Sequence, residues 1–599
     1  SSITSGNIAN ADTPGYSRKS HNQTAAVGQD ITFGVRVRQA TRDLNTMVQA
    51  QWQHSKADKA YAETMQNFLG RVDTSFGKPG SAISIDTMFS EVLKSLEGLA
   101  TTPESQAAQL TVLNRSEEFA SQMRALSDNI QNMRLEAEQA IGSAVEEVND
   151  ALKLIRQLNQ TIVEYGEAGP APDLLDQRDA AINVLAENLD VQVNVQNNGA
   201  VNITTKSGLS LFDVQEVRLA FDERSAMSAQ AVWTNDPTTS GAGTVRVIGV
   251  NGADTNVFDG NYLRTGKIAA LRELRDDQLV QAQRQLDELA SMVALAASSV
   301  TQEGQAVTDG PNSGFDLDLT GLQAGNIVKM TVDNAGTPQT YSFVAVTDPG
   351  LLPLAPEATP DADDIVVGVD ISGGLAGAIA TINGALPGGF AGSSPAANTI
   401  RVLATGASAL TSLDADITRT GLTDEGLGLP LFVDSGLQLP YTNALENGGQ
   451  LDGFASRITL SAAIKNDPSR LVVYDTLTNP TAPGDPARAN ALLSRFTETT
   501  FAATPQTGIG TETREFSSTV QGFIGQIVSF QGGQAADATR LADAEQVRYT
   551  AIEQRLSSSA DVNIDDEMAN LIELQNSYSA NARVMTIVQE MMDELLRIL

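Results

Sequence analysis

The chain has 599 residues, a formal net charge of −34, no cysteine and two histidines, His21 and His54. Its length implies several domains, each able to bury a core, and the scarcity of clustered Lys and Arg argues against nucleic acid or an anionic membrane surface as partners. Without thiols, disulfides, thiolate nucleophiles and thiolate metal sites are excluded, and with only two imidazoles most zinc sites and His-based general-base catalysis are disfavoured. The charge is uneven: residues 1–78 hold nine Lys/Arg against six Asp/Glu, so the acidity lies downstream. No apolar run approaches the roughly 20 residues that span a bilayer, and no signal peptide is visible.

The chain begins without Met, and Ser1 to Ala11 is expected to be the end of a helix whose start has been cut off. It runs into NIANADTPGYSR, Asn7 to Arg18. Pro14 presets φ at the second position of a turn and Gly15 accepts positive φ at the third, so Thr-Pro-Gly-Tyr fits a type II turn with Tyr16 leaving it. From about Leu44 to Tyr165 apolar residues recur at helical spacing, as in Tyr61, Met65, Phe68 and Val72, or Val145, Val148, Leu152, Ile155, Leu158 and Ile162. Long helices are predicted there, broken at FGKPGS (Phe76–Ser81) and at TTPES (Thr101–Ser105), where Thr102 is placed to cap and Pro103 to open the next helix. A shorter helix, Asp173 to Leu189, follows Gly-Pro-Ala-Pro.

The pattern then turns to alternation in VQVNV (Val191–Val195), AVNIT (Ala200–Thr204) and TVRVIGV (Thr244–Val250), a modest β region ending near Gly260. Helix is predicted again from about Gly266 to Val300. From roughly Gly325 to Pro440 the composition shifts: residues 341–440 hold fourteen Gly, eleven Asp/Glu and only two Lys/Arg, and short strand-like runs alternate with Gly/Pro/Asp turns. This reads as an inserted acidic β domain facing water. After a mixed segment, helix returns from about Ala535 to Leu599.

The last helix carries a seven-residue repeat. Ile564, Leu571, Tyr578, Met585, Met592 and Leu599 recur every seventh position, with Leu574, Asn581, Val588 and Leu595 at the companion position three further on. This is a coiled-coil seam with one polar break, Asn581. Asn563 is the expected cap, and Asp565, Asp566 and Glu567 favour the positive end of the helix. Ordering about 36 residues costs roughly 1–2 kcal/mol each, more than one seam returns, so the helix needs a partner.

Candidate chemistry is sparse. Asp316, Asp318 and Gly321 have EF-hand-like spacing, but Ile327 stands where the loop needs a bidentate Glu, so a solvated turn is the better reading. Asp361 to Asp364 offer a loose cation site, but solubility is the better reading of them. There is no GxSxG and no GxxxxGK[ST]. No catalytic residue, metal site or cofactor is expected.

Two terminal signatures, NIANADTPGYSR and DDEMANLIELQNSYSANARVM (Asp565–Met585), together resemble those of the bacterial flagellar axial proteins: rod, hook and hook-associated. FGVRV (Phe33–Val37), DLLDQRDAAINVLAENL (Asp173–Leu189), TGKIAALRELRDDQLVQAQRQLDELA (Thr265–Ala290), NDPSRL (Asn466–Leu471) and GDPARANALLSRF (Gly484–Phe496) are similar to the first of the hook-filament junction proteins. The resemblance covers about two thirds of the chain and leaves 325–440 outside it. It implies a non-enzymatic structural subunit, exported through the flagellar type III apparatus and extracellular. The implied partners are copies of itself in a ring, the hook protein, a second junction protein (hook-associated protein 3) and an export chaperone on the C-terminal helix, with neither nucleic acid nor membrane.

The expected fold is multidomain α+β, a long helical bundle and terminal coiled coil with inserted β-rich domains. Residues 1–40 and 555–599 would form the inner terminal domain, 41–324 and 441–554 the helical scaffold with its β region near 190–260, and 325–440 the outer domain. The expected assembly face comprises Asn7, Asn10, Pro14, Gly15, Tyr16, Ile564, Met568, Leu571, Leu574, Tyr578, Met585, Val588, Met592 and Leu595, ordered by folding coupled to binding. The alternatives are another axial protein, such as a hook or rod subunit, or a secreted β-domain binding protein or hydrolase on a flagellar scaffold.

Overall fold

The structure, a computed structural model, describes residues 2–598 apart from 12, 14–15, 21–22, 29–30, 38–39, 79, 166–170, 261, 335–336, 362, 406–407 and 511–515. In chain order its helices are α1 (Ser2–Ala9), α2 (Thr46–Phe76), α3 (Ile85–Thr101), α4 (Gln106–Glu164), α5 (Pro172–Asn188), α6 (Lys267–Glu273), α7 (Leu279–Ser298), α8 (Leu375–Ala385), α9 (Phe454–Arg457), α10 (Ala462–Asn466), α11 (Ala487–Glu498), α12 (Val520–Ala560) and α13 (Ile564–Ile598). With strands in several small sheets, the protein is multidomain α+β.

The 59 residues of α4 form the spine of the scaffold. At about 1.5 Å per residue it is roughly 88 Å long. Val112, Ser116, Phe119, Met123, Leu126, Ile130, Met133, Ala137, Ile141, Val145 and Val148 recur three or four apart on its buried face. Its start differs from the expected cap: Thr102 and Pro103 belong to the turn, and Ser105 caps, its hydroxyl accepting from the Ala108 N–H at 3.3 Å. α2 and α12 pack antiparallel, since Asp58 pairs with Arg548 at 3.0 Å while Asp73 lies beside Gly532. Segments near both ends of the chain thus lie side by side.

Strands Val191–Val195, Val201–Thr205 and Ser210–Phe212 form one antiparallel sheet, and Arg218–Phe221, Val245–Ile248 and Asp254–Asn256 another. Their inward residues, such as Val201, Ile203, Leu219 and Val245, join the helical core. The second sheet and the loop before Val245 are tied to α4 by buried charge. Between α6 and α7 lies a π-helical turn, Leu274–Gln278, which carries the fully buried Arg275. Arg275 grips Asp276 through Nε and an η nitrogen at 2.7 and 2.8 Å and pairs with the equally buried Glu138. Glu138 also accepts the Arg224 and Gly243 N–H groups at 2.7 and 3.0 Å. A β-carbon on Gly243 would stand 2.6 Å from that carboxylate, so only glycine lets the backbone approach. Arg134, also fully buried, donates to the Arg275 and Ser228 carbonyls, each at 3.1 Å, and burial pushes it down to about 10.

A second core gathers Leu317, Val328, Met330, Phe343, Val369, Ile379, Ile400, Val402, Leu413 and Ile417. A five-stranded sheet (299–303, 409–418, 327–334, 337–346, 365–370), a four-stranded sheet (305–309, 312–318, 399–404, 390–396) and α8 surround it. The strands run from Ser299 to Thr418, whereas the compositional shift spans 325–440; Leu429, Leu431, Phe432 and Tyr441 pack in the first core. The first and last strands pair antiparallel with Ser299 opposite Thr418, so the chain enters and leaves this unit at one point.

Candidate functional site at the joined chain termini

Three stretches distant in sequence meet here: the segment after α1, the first half of α5 and the first turn of α13. Asn7, on α1, is fully buried. Its Nδ2 donates to the Lys19 carbonyl at 2.9 Å while its Oδ1 accepts the Lys19 N–H at 3.1 Å and the Tyr16 hydroxyl at 3.0 Å. An amide offers donor and acceptor side by side, which a carboxylate cannot. Asn10 stays local, its Nδ2 donating to the Gly6 carbonyl at 2.9 Å. The Tyr16 N–H donates to the Thr13 carbonyl at 3.1 Å, the bond that closes a four-residue turn. Pro14 and Gly15, expected inside that turn, lie outside the described residues.

Beyond the turn, Lys19–Ser20 pairs antiparallel with Thr41–Arg42, placing Lys19 opposite Arg42. Two like charges in register repel, and α5 supplies the opposite sign. Asp173, Asp176 and Asp179, three apart, share one side of the helix. Lys19 pairs with Asp173 and lies 3.5 Å from Asp176; Arg42 donates to Asp176 at 3.0 Å and Asp179 at 2.7 Å; the Ser17 hydroxyl donates to Asp176 at 2.6 Å.

Arg18 reaches the other partner. Its Nε donates to Glu567 of α13 at 2.8 Å, and that carboxylate is 3% exposed. The hydrogen bond that Arg18 donates to Glu567 holds the guanidinium pKa above its ordinary value. Asn563 caps α13, its Oδ1 accepting from the Asp565 and Asp566 N–H groups at 3.0 and 3.4 Å, and α1 packs along the helix. Arg18→Ala strands the Glu567 carboxylate without a countercharge and is expected to loosen α13 by about 2 kcal/mol. Amide exchange over Ile564–Leu574 measures the loss, and adding Glu567→Gln should recover most of it; equal exchange in all three proteins would refute the anchor.

Beyond that anchor α13 lies open. Leu571 and Leu574 are half-buried, whereas Ile564, Met568, Tyr578, Met585, Val588, Met592 and Leu595 are exposed, Tyr578 by 78% and Met585 by 64%. The seven-residue repeat left out Ile572, Val584, Ile587, Met591 and Leu596, which are exposed as well. At about 100° per residue the apolar positions from Val584 to Leu596 cover about half the circumference, wider than the stripe of a helix packed on one neighbour. The width was visible in those extra positions. The polar anchor was not, because its partners are up to 549 residues apart.

Among the described residues no group of three or more His, Asp or Glu is placed to hold a metal ion, and no helix is long and apolar enough to cross a membrane. Asp316, weighed above as a calcium ligand, takes a two-pronged hydrogen bond from Arg401 at 2.6 and 2.7 Å.

Residues 553–598, which include the open helix, match the family described as "Flagellar basal body rod FlgEFG protein C-terminal". The open helix and its first turn are therefore similar to the C-terminal segment of flagellar axial proteins. Residues 69–317 match a second family, "Flagellar hook-associated protein FlgK helical domain". Flagellar hook-associated protein 1 of Escherichia coli is 23% identical over 99% of this chain and 96% of its own length. Its namesakes in Salmonella typhimurium, 26% identical over 50% of this chain and 53% of theirs, and in Bacillus subtilis, 23% over 35% and 43%, align over shorter stretches. This chain is thus similar to flagellar hook-associated protein 1 along nearly its whole length. A solved structure described as the flagellar hook junction protein FlgK from Burkholderia pseudomallei aligns with 85% of this chain and 100% of its own, at 15% identity and a TM-score of 0.46.

Proposed function

We propose that this chain is a non-enzymatic structural subunit of the bacterial flagellum that joins the hook to the filament. The observation that carries the reading is the apolar half-cylinder of α13, left open beside an N-terminal segment that is locked to it. Such a surface stays in water only until a neighbour covers it. Copies of the same chain in a ring, the hook protein on one side and hook-associated protein 3 on the other would do so. Before assembly an export chaperone would shield the same face during passage through the flagellar type III apparatus to the cell exterior. Ordering of the terminal helices is then completed by binding, which links assembly to folding.

In this reading residues 299–418 form an outer domain with no part in the junction. Lys329 and Arg401, its two basic residues, are both paired, with Asp416 and Asp316, leaving an acidic shell. Because Ser299 and Thr418 lie side by side, a short linker from Ser298 to Arg419 can replace it without straining the scaffold. Cells lacking the protein should bear hooks without filaments under the electron microscope, and both the full chain and the 299–418 deletion should restore filaments. Filaments on cells that lack the protein altogether would refute the junction role; failure of the shortened chain alone would give the outer domain a share in it.

A further inference from the structure

Where the second core meets the scaffold, α7, the strands 299–303, 327–334 and 409–418, and the segments 441–451 and 495–504 enclose a cavity of about 560 Å³. That is the size of sites that hold small organic molecules. Met292, Leu295 and Leu451 make part of its wall apolar. The charges in it are unusual. Glu288 is 6% exposed, and among the described residues its carboxylate accepts hydrogen bonds from Thr504 alone, the hydroxyl at 3.4 Å and the backbone N–H. Its neighbour Asp287, by contrast, accepts from the Gly453 and Ala455 N–H groups at 2.9 and 2.8 Å and from Gln283 at 3.0 Å. Among the described residues no Lys or Arg pairs with Glu288, and burial pushes its carboxyl up to about 7.

Arg495 lines the same cavity with a buried terminal guanidinium nitrogen that has no hydrogen-bond partner. Burial lowers its pKa, and the neighbouring cation Arg419 lowers it further. Glu288 and Arg495 do not pair with each other among the described residues. The remaining charges are either engaged, as Lys329 with Asp416 at 3.6 Å, or nearer water, as Glu357 and Asp414. A cavity with one uncompensated acid and one uncompensated base is expensive to leave so, since a buried lone charge costs several kcal/mol. A simple amine or a simple acid would satisfy only one of the two and bring its own unbalanced charge inside.

We propose that this cavity binds a small zwitterion, a free amino acid or a short peptide, whose ammonium group meets Glu288 and whose carboxylate meets Arg495. The apolar wall takes its side chain. Because the cavity is lined by strands of the second unit as well as by α7 and the scaffold, occupancy ties the second unit to the scaffold.

Calorimetric titration of the full chain with L-leucine and with L-alanyl-L-leucine tests this, with butylamine and butyrate as half-ligands. At least one zwitterion should bind saturably, about tenfold or more tighter than either half-ligand. Glu288→Gln and Arg495→Gln should each weaken it about tenfold, and Arg495→Lys, which keeps the charge but loses the fork, by less. Circular dichroism establishes that each variant folds; should Glu288→Gln fail to, the half-ligand comparison and the two Arg495 variants decide. Absence of saturable binding by both zwitterions, half-ligands binding equally well, or binding indifferent to Arg495 would each overturn the assignment.

Discussion

Leu574→Asp combined with Met585→Asp is expected to yield a soluble, folded chain on which no filament grows. Neither side chain belongs to the two buried cores: Leu574 is half-buried on α13 and Met585 is 64% exposed. The isolated chain therefore loses little, and its melting curve and circular dichroism should match the parent within error. In an assembled junction both positions are covered. Each substitution then removes about 1.5–3 kcal/mol of apolar burial and sets a carboxylate in a dry contact, which costs several kcal/mol more. Every copy bears the loss, so association fails outright rather than weakening. Electron microscopy of cells carrying the variant should show bare hooks, while Gln575→Ala, a polar position on the same helix, should leave filaments unchanged. Filaments of normal length on the double variant would remove α13 from the assembly surface.

How far the sequence discloses this molecule depends on the range of the interaction. α4 is legible because its buried residues recur every third or fourth position over 59 residues, and Asn563 is legible as a cap because its partners are two and three residues away. α12 is read too short, from about Ala535 instead of Val520, because Gly522, Gly525, Gly532 and Gly533 lower its helix propensity while buried Phe523, Ile524 and Ile527 hold it in place. The acidic composition locates a separate β unit but not its edges, since the strand at 299–303 lacks the Gly/Asp bias of its partners. At the terminal site the apolar stripe of α13 was plain. The roles of Arg18, Lys19 and Arg42 were not, because a cation shows its carboxylate only once α5 and α13 have been brought alongside.

The same limit applies with most force to the π-helical turn at 274–278, whose buried Arg275 finds Glu138 across 137 positions. Arg275→Met is expected to destabilise the scaffold by about 3–5 kcal/mol, the cost of breaking a buried ion pair from one side. Methionine fills much of the space, so the loss is electrostatic: the buried carboxylates of Glu138 and Asp276 each lose the cation they pair with. Burial already pushes the Asp276 carboxyl up even with Arg275 beside it. Glu138 keeps the Arg224 and Gly243 N–H groups, so the loop between Phe221 and Val245 should stay close to α4 but exchange its amides faster. Adding Glu138→Gln and Asp276→Asn to Arg275→Met removes the stranded charges and should recover more than half of the lost stability. Urea denaturation measures both values. A triple variant no more stable than Arg275→Met would mean that the arginine acts by its shape, and that charge at this turn contributes nothing to holding the second sheet on the spine.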